Sequence, residues 1–321
     1  MHTAFVPPPR NIHSTLSRLS CPVPFPEPSR QFRRIDGHFH NRGEVRSICR
    51  VELLLGRSFL LIAPTNVMHV ETLGDGKPAY TIVACVHGDE TCGWHAFNRL
   101  KVSDLSLNEP VKFILANERA FKLGFRFCDV DLNRVMPGDA SSDRHEERLA
   151  ARLRRELQDT TVIDFHSTES RGCPYAIVTG DDDASLRLAR STGLDRVVDV
   201  SWLGGGVTRN VTGVAIECGY YDDEDAATMA HRILLHFLGA EGVIDHEVPL
   251  SDPTVYEVMG EAEGRGYTFV AENFRRVEAG EVFAEKNGTA RRAEAPFVPV
   301  LMSTHGYEDR IGFKAQPVEA G

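Results

Sequence analysis

The spacing of hydrophobic residues along the chain predicts buried strands separated by helices up to about residue 245. Two runs, YTIVACV (80–86) and VKFILAN (111–117), are almost wholly apolar, as strands inside a parallel sheet are. Three more runs with strand character are TVIDFHS (161–167), YAIVTG (175–180) and VTGVAIECG (211–219). Turn residues bound the first run, since GDGKP precedes it.

Helical periodicity occupies the intervals between these runs. In HEERLAARLRRELQ (145–158), Leu149, Leu153 and Leu157 recur at i, i+4 and i+8 and form one apolar face. Further predicted helices are ETCGWHAFNRL, SLRLARS and DAATMAHRILLHFLG, the last of which ends at a glycine. Strands that alternate with helices in this way predict an α/β layer fold.

The composition changes near both ends of the chain, which predicts three parts. Residues 1–45 are rich in Pro, Arg and Ser and are expected to be a poorly ordered extension. Residues 46–247 form the predicted α/β domain, which opens with strands over 46–64. From about 250 onward, short strands with glycine turns replace the helical period, so residues 248–321 are predicted to form a small C-terminal β-domain.

Charge and composition exclude several classes of function. The 321 residues carry a formal charge of −10, which repels phosphate backbones and anionic membranes, so no nucleic-acid or membrane partner is expected. No apolar run reaches the ~20 residues that span a bilayer. No secretory signal is recognisable either, which makes the cytoplasm the expected location. The seven cysteines include no Cys-x-x-Cys pair, so neither a zinc ribbon nor a thioredoxin-type site is supported.

Two strand ends carry residues that suit a divalent cation. His87 follows the first strand, and Gly88 permits a turn that would bring Glu90 onto the same cation. On the third strand, alternation puts Asp164 and His166 on one side. His166 is therefore a candidate third ligand and Asp164 a candidate hydrogen-bond partner that orients it. Taken singly, an ordinary surface turn and a buried His–Asp pair also account for these segments.

Two further segments suit the handling of an anionic substrate. The loop RFCDVDLNRVMPGD gathers Arg126, Asn133 and Arg134, and arginine binds carboxylates in a bidentate way. Glu217 ends an apolar strand, where a carboxylate is costly unless it lies in a cleft, is paired or is protonated. A general base with a raised pKa fits that position. The structural alternatives are a solvated loop with salt bridges and a glutamate bound to a neighbouring lysine or arginine.

The order of these segments resembles the succinylglutamate desuccinylase and aspartoacylase family, relatives of the zinc carboxypeptidases. The family pattern is H-G-x-E, then R-x-x-x-x-D-L-N-R with a PG turn, then D-L-H, then E-x-G. The chain offers HGDE (87–90), RFCDVDLNR (126–134) with PG at 137–138, DFH (164–166) and ECG (217–219). The resemblance implies a zinc-carboxypeptidase-like α/β/α sandwich with a mixed central sheet, plus a small C-terminal β-domain.

The resemblance also implies a role for each candidate in the reaction. His87, Glu90 and His166 would hold one zinc ion. Glu217 would take a proton from the attacking water and then deliver one to the departing amine. Arg126 would stabilise the oxyanion of the tetrahedral intermediate.

Four residues are candidates for substrate binding on the same grounds. Asn133 and Arg134 would bind the substrate's carboxylate. Arg209, eight residues before Glu217, is a candidate clamp for a second carboxylate. Tyr307, in HGYED, corresponds to a family tyrosine that reaches the active site from the β-domain.

The sequence therefore predicts a zinc-dependent hydrolase acting on linear amide bonds, with a small-molecule N-acyl amino acid as its partner. A zinc carboxypeptidase acting on peptides is the alternative that would use the same ligands. A non-catalytic metal-dependent binding protein is a third hypothesis, but such a protein has no need of a base like Glu217. The acyl group, the amino acid and any homo-oligomeric state stay open at this point.

Overall fold

The structure is a computed structural model, and parts of the chain lie outside its description. The described residues are 68–170, 172–179, 183–201, 203, 206–220, 224–307 and 309–318. The extension predicted over 1–45 and the strands predicted over 46–64 fall outside these ranges.

The described residues contain thirteen strands and five α-helices. The strands are β1 His69–Leu73, β2 Tyr80–Ala84, β3 Val111–Leu115, β4 Thr161–Thr168, β5 Tyr175–Val178, β6 Arg196–Asp199, β7 Gly213–Tyr220, β8 Thr254–Glu263, β9 Thr268–Phe269, β10 Val282–Lys286, β11 Thr289–Arg292, β12 Val298–Val300 and β13 Arg310–Pro317. The helices are α1 Cys92–Lys101, α2 Glu118–Leu123, α3 His145–Glu156, α4 Asp183–Arg190 and α5 Glu224–Ala240. Every strand and helix predicted between residues 80 and 239 is present, whereas β1, α2 and β6 were not predicted.

Ten of the strands form one mixed sheet in the order β1-β3-β2-β4-β7-β5-β6-β8-β13-β12. The strands β3, β2, β4 and β7 run parallel to one another at its centre, and β5 pairs with β7 in the antiparallel sense. The carboxyl ends of β2, β4 and β7 therefore meet at one edge, where ligands of open α/β sheets collect.

Helices cover both faces of this sheet, which confirms the predicted α/β/α sandwich. On one face α1 and α5 bury Phe97 and Phe237 against the sheet, and the ring of Phe97 stacks on that of Phe113 with centroids 3.8 Å apart. On the other face α3 buries the leucine row predicted from its periodicity. The helix α1 comes so close to β4 that a Cβ at Gly93 would lie 2.5 Å from the Cβ of Phe165.

The C-terminal strands extend the central sheet. Strand β8 pairs in parallel with β6 and antiparallel with β13, so β8, β13 and β12 continue the ten-stranded sheet. The strands β9, β10 and β11 form a separate three-stranded sheet. After Ala240 the described residues contain strands and no helix, as the loss of helical period predicted. The domain boundary between residues 247 and 248 stays a prediction.

None of the helices within the described residues has the length and hydropathy that a bilayer crossing requires. Four buried cysteines, Cys85, Cys92, Cys128 and Cys218, form no disulfide. Cys85 lies at the end of β2 with φ at +54°, a conformation that strains a residue with a side chain. This strained point immediately precedes the turn that contains His87.

Candidate active site

The turn that follows β2 holds the first two candidate ligands close together. The backbone amide of Glu90 donates to the carbonyl of His87 at 3.1 Å, which closes the turn. Gly88 donates its amide to the carbonyl of Arg126 at 3.0 Å, so the turn is attached to the arginine-bearing loop. A Cβ at Gly88 would lie 2.2 Å from the backbone of Ala120. Close approach, rather than a positive φ, therefore explains the glycine, since φ of Gly88 is not positive.

His87, Glu90 and His166 converge at the carboxyl ends of β2 and β4. One ligand atom from each side chain lies within 4.8 Å of the other two, and all three side chains are buried. The Nδ1 atoms of His87 and His166 each lie 2.9 Å from one oxygen of the Glu90 carboxylate. Two imidazoles and one carboxylate are the donor set of many catalytic zinc sites.

A carboxylate orients each imidazole from its far side. The Nε2 of His166 lies 2.8 Å from the carboxylate of Asp164, as strand alternation predicted. The Nε2 of His87 lies 3.1 Å from the carboxylate of Asp131. Such partners keep the proton on Nε2 and leave Nδ1 free to bind a metal. Asp131 was not predicted from the sequence, although it lies within the DLNR segment that was singled out.

The electrostatics of this group favour a positive charge between the side chains. Burial alone lowers the pKa of His87 and of His166, but the carboxylates of Glu90, Asp131 and Asp164 outweigh it and raise both pKa values. Burial likewise raises the pKa of Glu90, but the two histidines outweigh it and lower that pKa. A pocket that attracts protons to two buried imidazoles also fits a divalent cation, because the same carboxylates stabilise either charge.

Glu217 lies beside the metal-ligand candidates and forms no ion pair with a lysine or arginine of the described residues. It is the register partner of His166 on the neighbouring strand β7. Its Oε2 is buried and accepts no hydrogen bond within the described residues, so the alternative of a glutamate fixed by a nearby lysine or arginine is not observed there. Burial raises the pKa of Glu217 to about 7, with the Glu90 charge adding to the effect and the two imidazoles opposing it. A carboxyl group with this pKa is suited to accept and return protons near neutral pH.

The loop after α2 places the predicted arginines at the same edge of the sheet. Arg126 donates from Nη1 to Glu90 at 2.6 Å, and its Nη2 lies 3.9 Å from the Asp131 carboxylate. Arg134 is exposed and acts electrostatically on Asp131 and on Tyr307. Asn133 accepts the backbone amide of residue 207 at 3.2 Å through its side-chain oxygen, which leaves its Nδ2 available as a donor.

A buried carboxylate that sequence reasoning missed holds this loop in place. Glu146, at the start of α3, accepts the backbone amides of Cys128, Asp129 and Val130 at 2.7, 2.9 and 3.2 Å. It also accepts the side-chain amide of Asn117 at 3.1 Å. The only signal in the sequence was an acidic residue in the first turn of a predicted helix, which ordinarily stabilises the helix dipole.

Substitution of Glu146 tests this fixation. We expect Glu146→Ala to lower the free energy of unfolding by about 3 kcal/mol, because three backbone amides and one side-chain amide lose a buried charged acceptor. Urea titration followed by circular dichroism measures the change. Glu147→Ala is the matched control, since its carboxylate contacts Arg144 and Ser142 near the surface, and it should cost less than about 1 kcal/mol. Equal effects of the two substitutions would contradict the assigned role.

The two less specific sequence candidates have different surroundings. Tyr307, in the loop before β13, is close enough to Arg134, Glu217 and Arg126 for their charges to act on its hydroxyl, and burial raises its pKa to about 12. Arg209 is exposed, and its guanidinium donates to the backbone carbonyls of Ser201 and Leu203. The structure therefore brings Tyr307 to the site and leaves Arg209 bound to a neighbouring turn.

Residues 77–203 match the family model described as the succinylglutamate desuccinylase/aspartoacylase catalytic domain. A search of curated proteins gives no match to the chain.

Many solved structures share the fold. A product-bound ectoine utilization protein from Ruegeria pomeroyi is 18% identical with a TM-score of 0.61, over 78% of this chain and 88% of that chain. A succinylglutamate desuccinylase/aspartoacylase from Rhodobacter sphaeroides is 17% identical with a TM-score of 0.62, over 78% and 89% of the two chains. Murine aminoacylase 3 is 17% identical with a TM-score of 0.60, over 76% and 97%. These likenesses establish the zinc-carboxypeptidase-like fold.

Proposed function

Because residues 77–203 belong to the succinylglutamate desuccinylase/aspartoacylase family of catalytic domains, we propose that this protein hydrolyses the amide bond of an N-acyl amino acid. One observation carries the proposal: a half-buried acid with a buried Oε2 and a pKa near 7, Glu217, lies on the strand beside a His–Glu–His group that suits a metal. An acid and a metal group in this arrangement are the two components that hydrolysis of an unactivated amide requires.

His87, Glu90 and His166 would hold a single zinc ion. Zinc bound there would polarise the substrate's carbonyl and make water more acidic. The buried carboxylates of Asp131 and Asp164 keep both imidazoles in the orientation and tautomer that such binding needs.

Glu217 moves the protons of the reaction. Its unpartnered Oε2 accepts a proton from the attacking water, and the same oxygen then donates that proton to the nitrogen of the departing amino acid. A pKa near 7 makes both transfers feasible, because neither the ionised nor the protonated form is strongly favoured.

The remaining candidates would bind and orient the substrate. Arg134, on the exposed side of the loop, pairs with the carboxylate of the amino acid, and Asn133 donates its free Nδ2 to the same group. Arg126 stabilises the negative charge that develops on the scissile carbonyl oxygen. Tyr307 contacts the substrate from the C-terminal side. Arg209 would join them only by giving up its two backbone carbonyl partners.

A zinc carboxypeptidase would use the same metal group on a peptide, and a non-catalytic metal-dependent binding protein would use it without turnover. Glu217 distinguishes the binding protein from the deacylase and the carboxypeptidase, because metal binding alone does not require an acid with an unpartnered oxygen beside the ligands. Peptidase and deacylase differ in the size of the acyl part that the site admits.

A substrate panel tests the proposed reaction. Zinc-loaded protein should release free amino acid from N-acetyl or N-succinyl amino acids. The kcat/KM should be about 100-fold or more above that for peptides of three to five residues that are blocked at the N-terminus and free at the C-terminus. The panel contains N-acetyl-aspartate, N-acetyl-glutamate, N-succinyl-glutamate and neutral N-acetyl amino acids beside the peptides. Faster cleavage of the peptides would favour the carboxypeptidase, and absence of turnover on every compound would contradict both enzymes.

A further inference from the structure

Tyr175 stands directly beside Glu217 on the central sheet. It begins strand β5, which runs antiparallel to β7, and its register partner is Glu217. On the other side of β7, the partner of Glu217 is His166. Register partners on neighbouring strands point to the same face, so His166, Glu217 and Tyr175 form a row across three strands with Glu217 in the middle.

The hydroxyl group of Tyr175 is buried, and no group within the described residues accepts its proton. The residue is 3% exposed, and the Thr168 hydroxyl lies close enough to donate to the phenol oxygen, which leaves the proton of Tyr175 without an acceptor among the described residues. Its ring is fixed by the apolar cluster under the C-terminal strands, with an edge-on contact to Phe274 at 4.9 Å between centroids. A buried hydroxyl proton without an acceptor destabilises the fold, and such groups occur where a ligand supplies the missing acceptor.

The surroundings of this hydroxyl identify which part of a substrate it would meet. The ionisable groups that act on it are Glu217, Tyr307 and Glu90. Tyr307 in turn lies within the influence of Arg134, the residue proposed to bind the carboxylate of the amino acid. In the row across the strands, Tyr175 lies on the side of Glu217 away from His166. Tyr175 therefore lies on the side of Glu217 that faces Tyr307 and Arg134, where the amino-acid half of the proposed substrate would bind.

We propose that Tyr175 is a specificity-determining residue whose hydroxyl donates a hydrogen bond to an uncharged acceptor in the side chain of the substrate's amino acid, such as a side-chain amide. Nothing in the family pattern that identified the other site residues includes this position. The inference rests on the proposed hydrolysis of N-acyl amino acids and narrows its substrate class.

Charge explains why the acceptor is uncharged. Burial raises the pKa of Tyr175 well above its usual value, and the negative charge of Glu217 adds to the rise, so the phenol stays a protonated donor. The carboxylate of Glu217 is its direct neighbour, and a second carboxylate placed between them would be repelled by Glu217 at short range. An amide oxygen accepts the same hydrogen bond without that repulsion, while the apolar cluster around the ring suits the aliphatic part of the side chain.

Three N-acetyl amino acids of nearly equal size separate the effect of a hydrogen-bond acceptor in the side chain from the effect of its charge. N-acetyl-asparagine offers an uncharged acceptor, N-acetyl-leucine offers none, and N-acetyl-aspartate offers a charged one. We expect the unsubstituted protein to prefer asparagine to both others. Tyr175→Phe should lower kcat/KM for the asparagine compound by about 10- to 100-fold and leave the leucine compound within about threefold. Tyr256→Phe is the matched control, because it removes a hydroxyl from the same apolar cluster and should change neither value.

Binding measured by calorimetry gives a readout that does not depend on turnover. In the Glu217→Gln background, Tyr175→Phe should weaken N-acetyl-asparagine by a similar factor and leave N-acetyl-leucine unchanged. If no compound is hydrolysed but binding still discriminates in this way, the proposed reaction fails and the role of Tyr175 stands. Three results would each overturn the inference: hydrolysis by the unsubstituted protein without preference for the asparagine compound, preference for the aspartate compound, or equal effects of Tyr175→Phe on the asparagine and leucine compounds. The first two are measured on the unsubstituted protein and do not depend on the folding of a variant.

Discussion

Replacement of Glu217 by glutamine is expected to leave zinc binding intact and to lower kcat by about 10³-fold or more, because glutamine keeps the shape of the side chain but cannot accept a proton. The fold should tolerate the change, since Oε2 of Glu217 has no hydrogen bond to lose within the described residues. Steady-state hydrolysis of the best substrate from the panel, with zinc quantified by atomic absorption, measures both quantities.

The controls separate loss of the base from general damage. Glu257→Gln, on the exposed side of β8, should keep full activity. In the unsubstituted protein kcat/KM should fall as the pH decreases through the pKa of Glu217, because only the ionised carboxylate accepts a proton. A divalent cation beside His166 would lower that pKa, so we expect the midpoint at or below about 7. Full activity of Glu217→Gln would rule out the proposed proton transfer.

The second large effect is expected from the metal-ligand candidates. His166→Ala should reduce bound zinc from about one ion per chain to a small fraction of that and abolish hydrolysis, because two remaining ligands do not hold a catalytic zinc ion. Treatment of the unsubstituted protein with a chelator should give the same loss of activity. Added zinc should restore the activity of the chelated unsubstituted protein but not that of His166→Ala.

His95→Ala provides the matched control for this experiment. His95 is an exposed histidine in the first turn of α1 that does not belong to the buried His87, Glu90 and His166 group, so its removal should change neither the zinc content nor the rate. Zinc content of His166→Ala equal to that of the unsubstituted protein would contradict the assignment of the His87, Glu90 and His166 group as the metal site.

Much of the fold could be predicted because its central elements are defined locally. Strand β2 is apolar throughout, and α3 repeats leucine every four residues, so each has one stable arrangement against a sheet. Strand β1 and the short helix α2 lack such patterns. Helix α2 is capped by Asn117, whose side chain accepts the amide of Ala120. In the sequence this cap is marked by one polar residue only, which does not predict a helix.

The candidate site divides in the same way. His87, Glu90, His166 and Glu217 were singled out because each directly follows or ends an apolar strand. The contribution of Asp131 depends on the path of a loop that returns to the sheet over forty residues after His87, and no local pattern encodes that return. For Arg209 the sequence predicted a contact that the structure does not have. Its charge and its position eight residues before Glu217 suited a carboxylate clamp, but its guanidinium binds a nearby turn instead.

By itself the sequence determined the alternation of strands and helices, the family resemblance and the order of the residues that can handle a metal and protons. Periodicity and short motifs depend only on neighbours along the chain, so they can be recognised in the sequence without a structure. Only the tertiary structure decided that Glu146 fixes the loop that contains Cys128 and that Tyr175 is the register partner of Glu217. Strand order and burial decide such contacts, because they join residues that are tens of positions apart.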